Sequence, residues 1–464
     1  MLKPIPKIVL EKNQLPSVNL SLDGKDPLDF LNHFYLSKKG SMVVADILEG
    51  VISDKRKRVG TLTAPPGSGK SYLALFIGSL LASSSDWDES LNSLLLRQNK
   101  THSGRISEAL KTFRFSKERF LPVYITGEST SLKNFILENI LLSLENFVKG
   151  DPLDLFYEHF KTELEFSRRS SDVKKLISRI SDEVKDKTSF FKIYKLTLAL
   201  LKKQNFVGFA LFHDEFNRFL SSPSHLNTLD LDFLQDFAEY NLRLRDMKVV
   251  HYLLMHKGIS QYLSGVSEEK RKDWLKIEGR FYPIYFQEEL SDVYGLISNF
   301  LYDNDSFSEG KKKSEIIQQE TEKAFRINKI LKEEIGHELS EISLKAYPLH
   351  ITSLLTMPLL SSLLGQNERT IYTYLSSITS RKQNDFLRID ALYDYFDTSI
   401  DKLGLEDSLL SKWQFGRNAL DEVSDKLERK VIKALTVLSV INKQTLLPCR
   451  AEWIDFCIGN EPFI

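Results

Sequence analysis

Short runs of apolar residues alternate with longer segments of helical periodicity over residues 1–290. The apolar runs begin near Arg58, Leu121, Phe206, Lys248 and Phe281, and polar or glycine-containing segments bound them. An uninterrupted apolar run is typical of a strand that is buried on both faces, as in a parallel sheet. The pattern therefore predicts an α/β fold in which helices flank a parallel sheet.

Helical periodicity fills most of the remaining sequence. Helices are predicted over residues 42–52, 132–148 and 229–245, residues 84–117 form a polar stretch, and from about residue 291 the composition favours helices alone. We predict an α/β core over 1–290, in which the charged helical stretch near 150–200 is an insertion. A helical lid over 291–400 follows, and then a small C-terminal helical or partial winged-helix module over 401–464.

The segment after the first predicted strand has the pattern of a P-loop. A turn rich in glycine and proline leads into an apolar helix, and Lys70 and Ser71 stand at the junction. In a P-loop, backbone N–H groups converge on nucleotide phosphates, the lysine neutralises the β and γ oxygens, and the hydroxyl binds Mg²⁺. Ala64 replaces the glycine that usually opens the motif. The predicted nucleotide-binding residues are Pro66, Gly67, Ser68, Gly69, Lys70, Ser71 and Tyr72.

Two adjacent carboxylates, Asp214 and Glu215, end the third predicted strand. Open α/β sheets bind ligands at the carboxyl ends of their strands. We therefore predict that Asp214 holds Mg²⁺ through water and Ser71 and that Glu215 polarises the water that attacks the γ-phosphate. Tandem acids are typical of ATPases of the AAA+ and related kind, whereas kinases and small GTPases usually lack the glutamate. The alternative for an isolated Asp-Glu pair is a solvated turn.

His256 and Arg280 are further candidates for catalysis. His256 follows the fourth predicted strand, where such ATPases place a polar residue that senses the γ-phosphate; the alternative is a hydrogen-bonded structural histidine. Arg280 precedes the last predicted strand, at what we expect to be the nucleotide-proximal edge. An arginine finger there could reach the γ-phosphate of a neighbouring subunit and stabilise transition-state charge. The alternative for Arg280 is a surface ion pair.

Composition narrows the range of partners. Lys and Arg number 63 and Asp and Glu also number 63, so no global positive field draws the chain to nucleic acid, and any DNA contact must be local. Cys449 and Cys457 show neither metal-ligand spacing nor a disulfide framework. The N-terminus lacks an apolar signal core, and no apolar stretch is long enough for a bilayer. We expect a cytoplasmic protein without membrane contact.

Four strings of the sequence carry a family resemblance. They are HDEFNRFL at 213–220, YLSGVSEEKRKDWLKIEGRF at 262–281, AYPLHITSLLTMPLLSSLLGQNERTIYTY at 346–374 and ALYDYF at 391–396. With these motifs in this order, roughly residues 40–440 resemble the large P-loop ATPases of BREX-type bacteriophage-defence systems, the BrxC/PglY group of the AAA+ superfamily. The resemblance implies that Asp214 and Glu215 are the metal and hydrolysis carboxylates, that Arg280 is the finger, and that Arg369 is a lid residue facing the nucleotide. The alternative for Arg369 is an ion pair on its own helix.

The expected activity is hydrolysis of ATP to ADP and phosphate by an oligomer that requires Mg²⁺. The chain would be the motor or switch subunit of a bacterial anti-phage defence complex, with copies of itself and other defence proteins as partners. The alternative is a nucleotide switch or clamp, related to STAND and origin-recognition ATPases, that turns over little ATP. A scaffold without hydrolysis is a third option because of Ala64, but the retained Glu215 argues against it.

Overall fold

The computed structural model describes residues 18–24, 27, 31, 36–65, 68–82, 104–127, 131–148, 150–166, 170–221, 228–262, 268–287, 290–304, 310–336, 338–363, 367–379, 385–398, 400 and 407–459. These residues belong to two compact units. One lies within Val18–Gln287 and the other within Glu288–Ile464.

The first unit contains a sheet of five parallel strands in the order β2-β3-β4-β1-β5. The strands are β1 (Val59–Thr63), β2 (Phe120–Ile125), β3 (Gly208–His213), β4 (Lys248–Met255) and β5 (Tyr282–Tyr285). All five lie where the apolar runs predict strands, so the predicted parallel sheet flanked by helices is confirmed. Because β4 lies between β1 and β3, the carboxyl ends of these three strands meet at one edge of the sheet.

Sequence composition distinguishes the central strands from the edge strands. Every residue of β3 is buried, whereas β5 buries Ile284 and exposes Pro283 and Tyr285. Proline cannot donate a backbone hydrogen bond and is therefore confined to edge strands and bulges. The two strand prolines, Pro122 and Pro283, accordingly lie in β2 and β5, the strands at the two edges of the sheet.

Helices cover both faces of the sheet. Successive strand residues point to opposite faces, so Val123 joins one core and Tyr124 the other. The helices of this unit are α1 (Leu20–Asp23), α2 (Lys38–Ile52), α3 (Lys70–Ala82), α4 (Gly104–Ser116), α5 (Leu132–Glu145), α6 (Pro152–Phe160), α7 (Val173–Asp182), α8 (Lys187–Lys203), α9 (Phe216–Ser221), α10 (Thr228–Arg243) and α11 (Glu268–Glu278). Helices α2, α3 and α4 contribute to the core on the Tyr124 face, and α5 to α8 and α10 to the core on the Val123 face. The stretch predicted as an insertion near 150–200 therefore shares the core of the sheet.

The regular secondary structure described in the second unit is helical, apart from one parallel bridge between Leu349 and Leu387. Its helices are α12 (Leu290–Asn304), α13 (Gly310–Ile327), α14 (Ile330–Glu334), α15 (Glu338–Lys345), α16 (Ile351–Leu363), α17 (Asn367–Thr379), α18 (Ile389–Asp397), α19 (Asp407–Asp421), α20 (Lys426–Ile441) and α21 (Ala451–Ile458). Buried residues from Tyr294 to Ile458 form a single hydrophobic core. The division of this region at residue 400 into a lid and a C-terminal module stays a prediction.

None of the helices that the structure describes is both long enough and apolar enough to cross a bilayer.

Candidate functional site

The loop predicted to hold phosphates connects β1 to α3. The Ala64 N–H donates to the Met255 carbonyl at 3.0 Å, which extends the ladder between β1 and β4 by one residue, and the buried Ala64 side chain fits there. Gly69 has a φ of +78°, a left-handed conformation that favours glycine, and its carbonyl accepts from the Leu73 N–H at 2.9 Å as α3 begins. Pro66 and Gly67, predicted as nucleotide-binding residues, lie outside the described residues.

Lys70 opens α3 and is buried, with 5% of its surface exposed. Its Nζ donates to the carbonyl oxygens of Ala64 at 2.8 Å and Pro65 at 2.7 Å. A buried ammonium group needs such partners because burial removes its hydration. The loop therefore keeps the positive charge at the carboxyl edge of the sheet, beside the N-terminus of α3.

Ser71 and Asp214 are 143 positions apart in the sequence and meet in the structure. Ser71 Oγ donates to Asp214 Oδ2 at 2.6 Å. The buried Asp214 follows β3, and its N–H donates to the Ile125 carbonyl at 2.8 Å, which fixes its backbone to β2. The loop hydroxyl and the first strand-tip carboxylate thus form one oxygen cluster, as the two motifs predict.

Glu215 has a left-handed backbone with a φ of +52°, which is uncommon for a residue with a side chain. Its N–H donates to Asp214 Oδ1 at 2.9 Å, so the neighbouring carboxylate holds the turn. Its side chain pairs with Arg218 on α9 through two contacts, Nε to Oε2 at 2.9 Å and Nη2 to Oε1 at 3.2 Å. Sequence reasoning missed Arg218, although an arginine three residues after an acid is a known helical pairing.

His256 follows β4 and is half-buried between the other site residues. Burial lowers the pKa of His256, the Lys70 charge lowers it further, and Asp214 raises it, with a smaller lowering by Arg218. The ring also contacts the backbone of Ala64, whereas its buried Nδ1 has no hydrogen-bond partner among the described residues. His256 is therefore an uncharged imidazole near neutral pH, within the electrostatic range of both motifs.

Two further residues predicted to bind nucleotide border the loop. Ser68 lies just before Gly69, and its buried Oγ has no hydrogen-bond partner among the residues that the structure describes. Tyr72 lies in the first turn of α3 and is half-buried. Both residues are therefore next to the phosphate-binding backbone that the motif predicts.

Arg280 lies at the amino end of the strands, opposite the end where Lys70, Ser71 and Asp214 lie. Strand β5 runs parallel to β1 with Tyr282 beside Gly60, so Arg280 lies near the start of β1, whereas Lys70 follows its end. At about 3.3 Å per residue, the amino and carboxyl ends of β1 are roughly 15 Å apart. The prediction that Arg280 lies at the nucleotide-proximal edge of the sheet is wrong, because a residue before a parallel strand lies at the amino end of the strands, whereas Lys70 lies at their carboxyl end.

Arg280 forms the surface ion pair that was the alternative for it. Its Nη2 lies 3.2 Å from Glu239 Oε1, and Arg243 approaches the other oxygen of Glu239 at 3.1 Å. A role for Arg280 toward a neighbouring subunit stays a prediction.

Arg369 belongs to α17 in the second unit. Its side chain lies outside the described part of the structure, so its expected position facing the nucleotide also stays a prediction.

Comparisons of the chain with protein-family models, with curated proteins and with solved structures gave no significant match. The resemblance to BREX-type ATPases therefore rests on the sequence strings described above.

Proposed function

We propose that the chain is a Mg²⁺-dependent ATPase of the AAA+ type, with a P-loop fold in its first unit and a helical lid in its second. The observation that carries this proposal is the hydrogen bond of 2.6 Å between Ser71 Oγ and Asp214 Oδ2. It joins the loop hydroxyl to a strand-tip carboxylate beside a buried lysine. This is the set of groups that a triphosphate and its metal ion require.

The residues present fit the proposed ligands. Ser71 and Asp214 offer the hard oxygen ligands that Mg²⁺ prefers, and the ion when bound would neutralise phosphate charge. Lys70 Nζ, now held by two loop carbonyls, can exchange them for phosphate oxygens. The buried Ser68 hydroxyl adds a hydrogen-bonding group next to Gly69, whose N–H lies in the turn before α3. Pro66, Gly67 and Tyr72 complete the predicted loop.

In the proposed reaction Glu215 accepts a proton from the attacking water, and ATP is converted to ADP and phosphate. The uncharged His256 can hydrogen bond the terminal phosphate or the water through its free Nδ1. Arg280 would complete the site of a neighbouring subunit in a homo-oligomer, and Arg369 would approach the nucleotide from the lid. This assignment rests on the sequence for Arg280 and Arg369.

At the level of the cell, we propose that the chain is a cytoplasmic subunit of a bacterial anti-phage defence complex. It would act as the motor or switch of that complex, together with other defence proteins. It would contact DNA only through a local surface. The alternative is a nucleotide switch or clamp of the STAND or origin-recognition kind. One observation favours that alternative: both oxygens of Glu215 are engaged by Arg218. A base held in an ion pair favours slow turnover.

Nucleotide binding is tested first, with Lys70→Ala. Removing the buried ammonium leaves the phosphates without their main counter-charge on the protein, so we expect binding of a fluorescent ATP analogue to be lost. Lys257→Ala is the matched control, because Lys257 is exposed just beyond β4. This variant should bind the analogue as the wild type does. Unaltered affinity in Lys70→Ala would refute the P-loop assignment.

Turnover is tested with Glu215→Gln. Glutamine keeps the shape and hydrogen bonding of glutamate but cannot accept a proton, so ATP should still bind while hydrolysis falls by about 10² to 10⁴. Phosphate release from purified protein, alone and with duplex DNA, measures the change. Wild-type hydrolysis by the glutamine variant would assign the base to another residue.

A further inference from the structure

The proposed catalytic base is engaged by a cation of its own chain. The guanidinium of Arg218 forms a fork with Glu215, since Nε lies 2.9 Å from one carboxylate oxygen and Nη2 lies 3.2 Å from the other. A bidentate pair of this kind occupies one acceptor position on each oxygen and fixes the orientation of the carboxylate. Glu215 is therefore held toward Arg218 and can turn toward a water in the site only when the pair opens.

The pair is easy to open. The side chains of Arg218 and Glu215 keep 57% and 38% of their surface exposed. Ion pairs exposed to this extent shift an equilibrium by a factor of about five at most. The backbone of Glu215, by contrast, is held by the hydrogen bond from its N–H to Asp214 Oδ1. Opening the pair thus moves side chains and leaves the turn in place.

Arg218 is linked to the proposed phosphate site by a short chain of contacts. It pairs with Glu215, whose N–H donates to Asp214 Oδ1, and the other oxygen of Asp214 accepts from Ser71 Oγ. A guanidinium binds phosphate oxygens through the same fork that it offers to a carboxylate. A γ-phosphate at Lys70 and Ser71 would therefore compete with Glu215 for Arg218.

We propose that Arg218 is an exchangeable latch: it holds Glu215 while the site lacks a triphosphate, and it moves onto the γ-phosphate when ATP binds. The exchange releases the base only when the group to be hydrolysed is present. ADP lacks that group and leaves the latch closed. Arg218 is thus a positioning residue for Glu215, and this inference rests on the ATPase function proposed above.

The direct test is a crystal structure of the wild-type chain with Mg²⁺ and an ATP analogue whose β–γ bridge is an imido group, beside a structure with ADP. We expect the Arg218 guanidinium on the γ-phosphate and free of Glu215 with the analogue, and the fork with Glu215 intact with ADP. A guanidinium still paired with Glu215 in the analogue complex overturns the latch.

A binding experiment gives an independent readout. Arg218→Gln should weaken binding of the triphosphate analogue by about fivefold or more and change ADP affinity by less than about twofold. Arg218→Lys keeps the charge but loses the fork, so its affinity for the triphosphate analogue should lie between those of the wild type and Arg218→Gln. Arg243→Gln is the matched control, since Arg243 is an exposed arginine that also pairs with a carboxylate. Equal losses for ADP and the analogue would contradict the latch.

The proposed ATPase function and the proposed role of Arg218 can be refuted separately. If the wild type binds neither nucleotide, the proposed ATPase function is wrong. If it binds both and Arg218→Gln leaves the preference for triphosphate unchanged, the function stands and the latch alone is refuted.

Discussion

Ser71 and Asp214 illustrate how much of the site is organised by individual residues. Their oxygens lie 2.6 Å apart, and one backbone hydrogen bond, to the Ile125 carbonyl, fixes Asp214 to β2. The two oxygens that the proposed function assigns to Mg²⁺ are therefore already close together in the folded chain. A metal ion bound there would not have to order them, which would reduce the entropic cost of binding.

Removing the Ser71 hydroxyl should raise the Mg²⁺ requirement of nucleotide binding. Ser71→Ala deletes one metal ligand and leaves Lys70 to hold the phosphates, so we expect the Mg²⁺ concentration at half-maximal ATP binding to rise about tenfold or more. Titration of Mg²⁺ at fixed fluorescent analogue measures it. Ser79→Ala, the same substitution in the same helix, should have no effect, because Ser79 Oγ bonds the Leu75 carbonyl within α3. A Ser71→Ala protein with the wild-type Mg²⁺ requirement would remove Ser71 from the metal site.

Sequence reasoning identified the pairing of Ser71 with Asp214 but not that of Glu215 with Arg218. The first pairing follows from two local motifs and from the rule that ligands bind at the carboxyl ends of parallel strands. The second depends on the left-handed turn at Glu215, which aims its side chain at α9. No residue pattern predicts a positive φ for a glutamate. The position predicted for Arg280 was wrong for another reason. The end of the sheet at which it lies depends on strand direction and register rather than on distance along the chain.

At the scale of elements, β4 carries a buried histidine in the middle of the sheet. The ring of His251 lies between Phe237 and Phe281, with centroids 5.4 and 5.9 Å away. Burial, together with a smaller effect of the neighbouring His213, lowers the pKa of His251 to about 3. A protonated His251 would place a charge among aromatic rings, so the folded state requires the neutral form.

The stability of the first unit should therefore fall as the pH decreases below about 6.5. The unfolded chain takes up a proton at His251 below that pH, whereas the folded chain does not do so until about pH 3. This difference costs about 2 kcal/mol at pH 5 relative to pH 7. In His251→Leu we expect the difference in unfolding free energy between pH 7 and pH 5 to shrink by about that amount.

Urea unfolding followed by circular dichroism at both pH values measures the effect. The pKa of His213 is also lowered to about 3 by its burial, so part of the acid loss should persist in the variant. An unchanged difference between the two pH values would show that His251 does not resist protonation.

The elements differed in how well the sequence predicted them. The strands were predicted correctly because β2, β3 and β4 consist mostly of apolar residues, but their order follows from long-range pairing that no local pattern contains. Helix α4 (Gly104–Ser116) lies in a stretch noted only as polar. Its buried Ile106, Ala109 and Phe113 do recur at helical spacing, and the surrounding charged residues obscured that signal.

At the scale of the whole molecule, the proposed oligomer would have active sites that are shared between neighbouring subunits. If Arg280 acts on a neighbouring subunit, specific activity should rise with protein concentration. Arg280→Ala should bind ATP normally and hydrolyse it about 10³-fold more slowly. Mixing Arg280→Ala with Glu215→Gln should restore activity, because one interface then combines an intact base with an intact arginine. Phosphate release from the mixed and separate proteins measures the rescue.

Arg243→Ala is the control for that experiment. Arg243 and Arg280 pair with the same carboxylate, Glu239 on α10, so both variants lose an ion pair with that carboxylate. Only Arg280→Ala should lose hydrolysis. Equal effects of the two variants, or activity that is independent of concentration with no rescue on mixing, would leave Arg280 with its ion pair as its only role.

The order of strands in the sheet bears on how the chain matures on the ribosome. β1 is the first strand to be synthesised, yet its neighbours are β4 and β5, the last two, and Val59 pairs beside His251. The strand that leads into the proposed phosphate-binding loop therefore cannot pair with its neighbours until nearly the whole unit has been synthesised. A nascent chain that ends before Lys248 lacks β4 and cannot complete the proposed site, so nucleotide bound there would stabilise only chains that extend beyond β4 and not shorter precursors.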